Sequence, residues 1–244
     1  VITSDTDKNE KSALMSGVNV IRVKALNFLE RIHAPFPIFS PTIIYHLLNE
    51  VKKADVVHIH DAFYISSILA FFVAKIKGKP VLLTQHVSMV SHTSKTIIAI
   101  QKIVYSTYGY LIFKYSNLIT VYNDRVGDFI LNKGIDKSNM CRVPNGVDTD
   151  FYFKPANEEK IRIKKELGLD LNKKIVLFVG RFVPKKGFEK VLGAQDDKYQ
   201  IVFVGGDTKL KNTDRTIFLG KLSKTDVRRV YQASDLFVLP SNSE

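Results

Sequence analysis

The sequence of 244 residues predicts an α/β fold in which two doubly wound units each contain a parallel sheet. Three observations predict this fold. Short β-branched runs alternate with longer helical patterns, the alternation restarts in the second half of the chain, and a turn-rich stretch separates the halves. With 45% hydrophobic residues the chain can fill the cores that such a fold needs.

The first half is expected to contain four strands that are buried on both faces of a sheet. They are predicted at residues 18–23, 56–60, 81–84 and 118–121. Helical patterns lie between or after them at residues 41–53, 62–77, 94–115 and 124–133. The order strand, helix, strand predicts right-handed crossovers and therefore parallel strands.

The domain boundary is predicted at residues 143–148, where Pro144 and Asn145-Gly146 interrupt regular structure before Asp148. We therefore expect domains at 1–148 and 149–244. The second is predicted to contain strands at 174–180, 200–205, 217–220 and 235–239. Ser223 and Asp226 have the spacing of a capping box, which predicts a helix that runs to about Ala233.

The charge balance predicts an anionic partner. Lys and Arg number 36 against 24 Asp and Glu, a net charge of +12, which is +6 in residues 1–148 and +6 in 149–244. An excess spread evenly favours a phosphate ligand or an anionic membrane surface over a basic arm that binds nucleic acid.

Cysteine content and apolar runs exclude several classes of protein. One cysteine, Cys141, cannot form a disulfide within the chain or a thiolate zinc site. The apolar run 62–74 is too short for a spanning helix, and no secretion signal opens the chain. We expect a cytoplasmic protein that can lie at the cytoplasmic face of the membrane.

Two candidate sites lie at predicted strand ends in the second half. Gly180 ends a buried strand, Arg181 and Lys186 occupy the loop, and Gly187 opens a helix, so cations and free amides predict a diphosphate site. At the end of the chain, a strand leads into the segment PSNSE, which contains Pro240, Ser241 and Glu244. The carboxylate of such a segment can accept hydrogen bonds from hydroxyl groups.

The first half places polar residues after two predicted strands. His86 follows one strand, and His58, His60 and Asp61 end another. Alternation puts the side chains of His58 and His60 on one face. An imidazole there can hold a substrate hydroxyl, which makes His60, Asp61 and His86 candidate substrate-binding residues. No third ligand has a suitable spacing for a metal, so neither metal nor cofactor is expected.

These residues resemble the retaining glycosyltransferases of family 4 (group 1), which have the GT-B fold of two Rossmann-like domains facing a cleft. The resemblance rests on 58–61 with 84–86, on 143–151, on GRFVPKKG at 180–187, and on SDLFVLPSNSE at 234–244. The order of these segments matches the family over nearly the whole chain. Loops of the GxxxxGK[ST], GxGxxG, GxSxG and HExxH types are absent from the sequence.

The resemblance implies a role for each candidate residue. Arg181 and Lys186 would hold the diphosphate of a nucleotide sugar, with Gly180, Pro240 and Ser241 also at the donor. Glu244 would contact the donor sugar and His86 would lie beside the reacting sugar, with His60, Asp61 and His86 on the acceptor side. Asn145, Gly146 and Asp148 would form the hinge.

The expected reaction transfers a hexosyl unit from a UDP- or GDP-linked sugar to a glycan or lipid-linked acceptor, with retention and without a metal. The sequence also departs from the family pattern, because the Gly-rich loop after the first strand and the second glutamate of the Glu-x7-Glu motif are missing. We therefore expect a fragment, truncated at both ends, that has little activity by itself.

Two other functions fit parts of the pattern. A GT-B sugar-nucleotide epimerase would share the fold and need no acceptor. A non-catalytic module would use the basic surface, with the aromatic segment 105–115, to bind anionic membrane or nucleic acid. Packing of those aromatic residues against the sheet is the simpler interpretation, and nucleic acid is the less favoured partner.

Overall fold

The chain divides between Asn145 and Gly146 into two units, Val1–Asn145 and Gly146–Glu244. The structure is a computed structural model, and it describes residues 1–5, 10–26, 37–89, 94–206 and 209–241. The point of division lies within the turn-rich stretch 143–148, whose residues are mostly exposed.

The N-terminal unit alternates short strands with helices. In chain order its elements are β1 (Ile2–Asp5), β2 (Ser12–Met15), β3 (Val18–Leu26), β4 (Ile38–Phe39), α1 (Thr42–Lys53), β5 (Val57–His60), α2 (Ile65–Ile76), β6 (Val81–Gln85), α3 (Lys95–Ser106), α4 (Tyr108–Tyr115), β7 (Leu118–Val121), α5 (Asp124–Leu131) and β8 (Met140–Arg142).

A parallel sheet in the order β5-β6-β7-β8 forms the centre of this unit. Its apolar side chains join those of the surrounding helices in one core, for example Leu83 and Ile119 from the sheet with Ile112 and Phe113 from α4. Strand β5 is buried on one face only, because its histidines lie on the exposed face. The prediction that this strand is buried on both faces is therefore wrong.

The segment 18–23, predicted as a buried strand of a parallel sheet, lies instead in a sheet with mixed strand directions and is only partly buried. Strand β3 pairs in parallel with β1 but antiparallel with β2 and β4, and much of it is half-buried or exposed. Ser16 and Gly17 connect β2 to β3 with positive φ angles of 49° and 81°. Such left-handed residues make the tight turn of a β-hairpin, which the period of the apolar residues did not reveal.

The helix predicted at 94–115 is two helices, so that prediction is wrong in its continuity. Thr107, with φ −114° and ψ −98°, separates α3 from α4. The hydroxyls of Ser106 and Thr107 donate to carbonyl oxygens of the preceding turn, and such bonds compete with the helical pattern. Among the residues that the structure describes, no helix has both the length and the apolar character to cross a membrane.

The described part of the C-terminal unit contains two strands of six residues and two shorter strands, with helices between them. In chain order its elements are α6 (Asn157–Glu166), β9 (Lys174–Val179), a 3-10 helix (Pro184–Lys186), α7 (Phe188–Leu192), β10 (Tyr199–Val204), β11 (Thr216–Phe218), α8 (Lys224–Ala233) and β12 (Leu236–Phe237).

The C-terminal sheet is parallel, in the order β11-β10-β9-β12. The chain passes outward from β9 to β10 and β11 and then returns to the other side of β9. The carboxyl ends of β9 and β12 are therefore neighbours, at the edge of the sheet where ligands bind in open α/β folds. Apolar residues fill both faces of this sheet, with Leu177 and Val202 on one and Phe178 and Phe203 on the other.

Ser223 begins α8 as predicted, because its hydroxyl oxygen accepts a hydrogen bond from the amide of Asp226 at 3.2 Å. The remaining predicted strands and helices occur with ends displaced by a few residues. The largest shortening is at 235–239, where only Leu236 and Phe237 pair with β9.

Candidate functional site

The carboxyl ends of β9 and β10 bring two glycine-containing segments together. Val179 and Val204 are partners in register, and Gly180 donates its amide to the carbonyl of Val204 at 2.9 Å. Gly205 follows with φ +106°, and a Cβ placed on it would lie 3.0 Å from the carbonyl oxygen of Gly180. The two main chains can approach this closely because neither carries a side chain.

The loop after β9 contacts the segment after β12. Gly187 ends the 3-10 helix with φ +71°, and a Cβ on it would overlap the carbonyl oxygen of Pro240. This contact places the segment that carries Arg181 and Lys186 beside Pro240 and Ser241. The structure thus brings together four of the residues that the sequence nominated at the donor site.

Phenylalanine side chains pack against one another in and around the loop after β9. The ring of Phe182 stacks on that of Phe188 with centroids 4.4 Å apart, and both contact Phe203. A Cβ on Gly206 would overlap the ring of Phe182. Sequence reasoning missed Gly205, Gly206 and Phe182, although two glycines directly after a buried strand are a signal of close approach.

Ser241 contributes a buried hydroxyl to the same place. Its Oγ atom has no hydrogen-bond partner among the described residues, while its amide donates to the carbonyl of Leu239. A buried hydroxyl without a partner is uncommon, and a ligand rich in oxygen would satisfy it. Glu244, which the sequence nominated beside it, lies outside the described residues.

The cations, and not a helix terminus, dominate the electrostatics of this loop. Arg181 is exposed and Lys186 is half-buried. Helix α7 has five residues, so the expectation that free amides at its start help to hold an anion is weakened, since the field of a helix grows with aligned peptides. A planar guanidinium and an ammonium group together suit phosphate oxygens.

A cluster of histidines lies at the carboxyl ends of β5 and β6 in the N-terminal unit. Nδ1 of His60 is 2.8 Å from Nε2 of His86, and Nε2 of His58 is 2.7 Å from the hydroxyl of Thr84. The imidazoles of His58 and His60 have centroids 4.4 Å apart. The edge of His86 packs against Tyr122.

Asp61 fixes the backbone at His86. Its carboxylate accepts from the amide of His86 at 2.8 Å, and its own amide donates to the carbonyl of Thr84 at 2.9 Å. Asp61 has a φ of +57°, which is unusual outside glycine. Burial raises the pKa of its carboxyl, against the opposing effect of the amide hydrogen bonds and the nearby histidines.

Gln85 holds the other side of the same loop. It is buried, its Oε1 accepts from the amide of Ala62 at 3.0 Å, and its Nε2 donates to the carbonyl of Val87 at 2.7 Å. His86 is therefore fixed between two residues whose side chains bond to the main chain. Sequence reasoning did not nominate Gln85, and a buried amide directly before the histidine is the signal that it missed.

The pKa values of His58 and His60 are lowered, which favours their neutral form. Burial first, and then the neighbouring imidazoles, lower the pKa of His58, and burial followed by His86 lowers the pKa of His60. In a pair of neutral imidazoles one ring nitrogen donates and the other accepts. Nδ1 of His86 has no partner in the described part of the chain, so it can contact a hydroxyl group.

A large cavity in the C-terminal unit does not coincide with the loops after β9 and β12. A cavity of about 880 Å³ in the C-terminal unit is lined by Tyr152, Lys160 and Asp235. Asp235 bonds to the start of β9, at the edge of the sheet opposite Arg181. We therefore place the candidate site by its chemistry. In the described ranges, no group of three or more His, Cys, Asp or Glu side chains could hold a metal ion.

Two protein families match the chain. The family described as "Glycosyltransferase Family 4" matches residues 1–151, and the family described as "Glycosyl transferases group 1" matches residues 159–244. The first match includes the histidine cluster, and the second includes the loops after β9 and β12.

Curated relatives match at low to moderate identity. An alpha-galactosylglucosyldiacylglycerol synthase of Streptococcus pneumoniae is 25% identical over 211 residues, which cover 79% of this chain and 55% of the relative. A galactosyltransferase of Escherichia coli, named for UDP-Gal and a GlcNAc-diphosphoundecaprenol, is 30% identical over 221 residues, covering 81% and 54%. The chain spans about half the length of these relatives.

Solved structures share the fold. HepE of Anabaena, in complex with UDP and glucose, has a TM-score of 0.67 and 15% identity, covering 92% of this chain and 61% of that one. A sucrose-phosphate synthase of Thermosynechococcus elongatus has a TM-score of 0.68 and 19% identity, covering 98% and 64%. The fold is accordingly GT-B, of which this chain covers a part.

Proposed function

The chain belongs to glycosyltransferase family 4, and from that premise we propose that it transfers a hexosyl unit from a nucleoside-diphosphate sugar to a glycan or lipid-linked acceptor. The donor is UDP- or GDP-linked, and the anomeric configuration is retained. The C-terminal unit binds the donor and the N-terminal unit provides the acceptor side.

The observation that carries this proposal is the contact between the loops after β9 and β12. The contact of Gly187 with Pro240 places the loop that carries Arg181 and Lys186 beside a second segment, in which the buried hydroxyl of Ser241 has no partner among the described residues. A diphosphate would bring oxygens to all three groups. The guanidinium of Arg181 offers paired donors to one phosphate, and Lys186 offers a point charge.

The same cations have a role in the reaction. Departure of a nucleoside diphosphate leaves negative charge on its phosphate oxygens. Cations that are already fixed beside those oxygens stabilise the transition state without reorganisation. This proposal assigns the charge to side chains and to no metal ion, so turnover should be unchanged by a chelator.

On the acceptor side, we assign the sugar contact to His86. Its main chain is held by Asp61 and Gln85, and one of its ring nitrogens is occupied by His60. The other ring nitrogen remains for a hydroxyl of the reacting sugar. The proposal names no protein nucleophile, and the leaving phosphate assists attack from the same face of the sugar.

The names of several relatives support the classes of donor and acceptor. The E. coli relative is named for UDP-galactose and a lipid-linked diphosphate, the pneumococcal relative for a glycolipid, and HepE was crystallised with UDP and glucose. The exposed stretch 143–148, with Asn145, Gly146 and Asp148, is the proposed hinge. Closure about it would exclude water and favour transfer over hydrolysis.

The test compares Arg181→Ala and Lys186→Ala in the longest natural form of the protein. Transfer is measured from UDP- and GDP-sugars to glycan and lipid-linked acceptors, and the product anomer is read by NMR. Each variant should lower kcat by roughly tens to thousands of times, as when one charge-stabilising donor is removed. Lys198→Ala, at the opposite edge of the sheet beside the start of β10, is the matched control.

Three results would contradict the proposal. Normal turnover in both variants would remove the diphosphate assignment. An altered sugar configuration formed without acceptor would indicate an epimerase. Inversion at the anomeric carbon would refute the proposed stereochemistry while leaving donor binding intact.

A further inference from the structure

The cavity of about 880 Å³ in the C-terminal unit has no part in the proposed reaction. It lies between residues 152–157 and helix α8, and we name it the α8 cavity. Small-molecule sites in proteins have volumes of about 300–1,000 Å³, so this cavity can hold a ligand of that class. Its polar and aromatic lining includes Tyr152, Lys154, Asn157, Arg228, Tyr231 and Asp235.

Arg228 is a cation without an anionic partner in this lining. The side chain is partly buried, and its Nε atom is buried and has no hydrogen-bond partner among the described residues. The next residue of the helix, Arg229, pairs with Glu166 instead. A partly buried guanidinium that lacks an acceptor is costly, and a ligand with an anionic group would satisfy it.

Phe151 holds the guanidinium of Arg228 in one position. The central carbon of the guanidinium lies 4.6 Å from the centroid of the phenyl ring. Nζ of Lys224, one turn earlier on the same face of α8, lies 4.7 Å from the same centroid. Stacking on a ring orients a guanidinium and leaves its terminal N–H groups able to donate. Arg228 is therefore already oriented to form paired hydrogen bonds with an anion.

Positive charge exceeds negative charge in the lining of the α8 cavity. Lys154, Lys160 and Arg228 are cationic, and Asp235 is the one acidic residue in the described lining. The carboxylate of Asp235 is 2.9, 3.6 and 3.7 Å from the ammonium groups of Lys160, Lys164 and Lys174. Because these lysines already compensate it, the charges of Lys154 and Arg228 remain for an anionic ligand.

The walls of the cavity also offer aromatic rings and hydrogen-bonding groups. The rings of Tyr152 and Tyr231 meet edge to face with centroids 6.4 Å apart. Nε2 of Gln232 donates to the carbonyl of Phe153 at 3.4 Å, which holds the segment 152–157 against α8. Phenol and amide groups bind hydroxyl groups, and the face of an aromatic ring packs against the C–H groups of a sugar ring.

We propose that the α8 cavity binds a carbohydrate that carries an anionic group, either a phosphate ester or a carboxylate. Arg228 binds the anionic group, Lys154 adds charge, and the tyrosine rings pack against the sugar. A free anion would leave the rings without a contact, and a neutral sugar would leave Arg228 without an acceptor.

This site is separate from the proposed donor site. Asp235, in the lining of the cavity, accepts a hydrogen bond from the amide of Ile175 at 2.8 Å, near the start of β9. Arg181 follows the other end of the same strand. Binding in the α8 cavity therefore does not depend on the proposed transfer reaction.

The test measures binding of glucose 1-phosphate, glucuronic acid, glucose and inorganic phosphate to the full chain by titration calorimetry. Arg228→Gln removes the charge, Arg228→Lys keeps the charge without the planar group, and Tyr152→Ala removes a ring. Lys154→Gln changes an exposed side chain and keeps the test valid if the Arg228 variants do not fold. Arg215→Gln, an exposed arginine outside the cavity, is the matched control. Arg181→Ala tests whether a sugar phosphate binds at the donor site instead.

Wild-type protein should bind the anionic sugars at least tenfold more tightly than glucose, since a hydrogen bond to a charged group is gained. Arg228→Gln should weaken that binding by roughly ten- to a hundredfold, and Arg228→Lys should lie between the two. Tyr152→Ala should weaken it by roughly two- to tenfold. Lys154→Gln should weaken it by about two- to fivefold. Arg215→Gln and Arg181→Ala should bind as wild type.

The two anionic sugars distinguish the sources of charge. Tighter binding of glucose 1-phosphate would identify a phosphate ester, and tighter binding of glucuronic acid would identify a carboxylate. Four results would overturn the proposal: no binding of either anionic sugar, unchanged binding by both Arg228→Gln and Lys154→Gln, inorganic phosphate bound as tightly as glucose 1-phosphate, and loss of binding in Arg181→Ala. A chain that binds an anionic sugar through Arg228 but transfers no hexosyl unit would contradict the proposed function alone.

Discussion

Nδ1 of His60 and Nε2 of His86 lie 2.8 Å apart, and this contact fixes the orientation of an imidazole whose other nitrogen has no partner in the described structure. We expect His60→Ala to lower kcat about tenfold, the scale of one lost hydrogen bond. His60→Asn should restore most of the rate, because its amide can occupy the position of Nδ1. Steady-state kinetics of both variants make the comparison.

If His60 were required only for folding, the alanine and asparagine variants would lose activity and thermal stability together. An unchanged kcat in His60→Ala would show that the contact does not position His86.

The stability of the N-terminal unit should depend on pH through the histidines. Burial lowers the pKa of His58 and His60 in the folded state. The unfolded chain therefore binds protons first as the pH falls, and the free energy of unfolding should decrease below about pH 6.5 until the folded-state pKa values are passed. Urea unfolding across that range measures the slope, and His58→Gln with His60→Gln should flatten it.

A wild-type slope identical to that of the double variant would contradict the assignment. A common slope contributed by Asp61 and other carboxyl groups would cancel in the comparison.

Two glycines in the C-terminal unit offer a matched test of the contact between loops. Gly187 and Gly168 have φ angles of +71° and +65°, but only Gly187 would place a Cβ against Pro240. Gly168→Ala should therefore cost about 1 kcal/mol of stability for the left-handed backbone. Gly187→Ala should cost about 2 kcal/mol more, because the loop must also move. Chemical denaturation measures both.

An equal loss of unfolding free energy for the two substitutions would show that the loops after β9 and β12 are not in close contact. Gly187→Ala should also weaken UDP binding, whereas Gly168→Ala should not.

Asp235 forms hydrogen bonds at the amino-terminal edge of the C-terminal sheet, opposite the loop that carries Arg181. Its partial burial would raise its pKa, but hydrogen bonds from Lys160 and the amide of Ile175, with the charges of Lys160 and Lys164, lower it to about 2. Asp235→Asn should reduce the free energy of unfolding by about 1–2 kcal/mol near neutral pH, since solvent screens part of the attraction.

The sign of this effect sets its pH range. Because the folded pKa lies below the unfolded value, the stabilisation is present above about pH 4 and is lost as the pH falls toward 2. The difference between wild type and Asp235→Asn should therefore shrink on acidification, and a constant difference would exclude ionisation as its source.

Periodicity of apolar residues predicted most of the central sheet in each unit. Strand β7 has the bounds expected at 118–121 because a short apolar run is enclosed by polar residues. The hairpin of β2 and β3 could not be predicted in the same way, since its register depends on the left-handed Ser16 and Gly17. The break at Thr107 depends on side-chain bonds that compete with a helix, and these leave the apolar period unchanged.

Residues of the candidate site could be predicted where the chemistry of the side chain identifies them. Residues that matter because two main chains lie close together could not be predicted. Arg181, Lys186 and His86 have the functional groups that the proposed reaction needs, and their positions after strands gave them meaning. Gly205 acts through the close approach of two main chains, and Gln85 acts through side-chain hydrogen bonds to main-chain groups that the fold brings to it. Such approach becomes visible only when the register of the strands is known.

The meeting of Gly187 with Pro240 couples ligand binding to the thermodynamics of folding. These segments are distant in sequence and become neighbours only after β12 pairs with β9. The nucleotide that we propose at their junction has no comparable place in the denatured ensemble, so by mass action it should raise the melting temperature of the C-terminal unit with the logarithm of its concentration above Kd. A thermal shift would then report on donor affinity even under conditions in which no sugar is transferred.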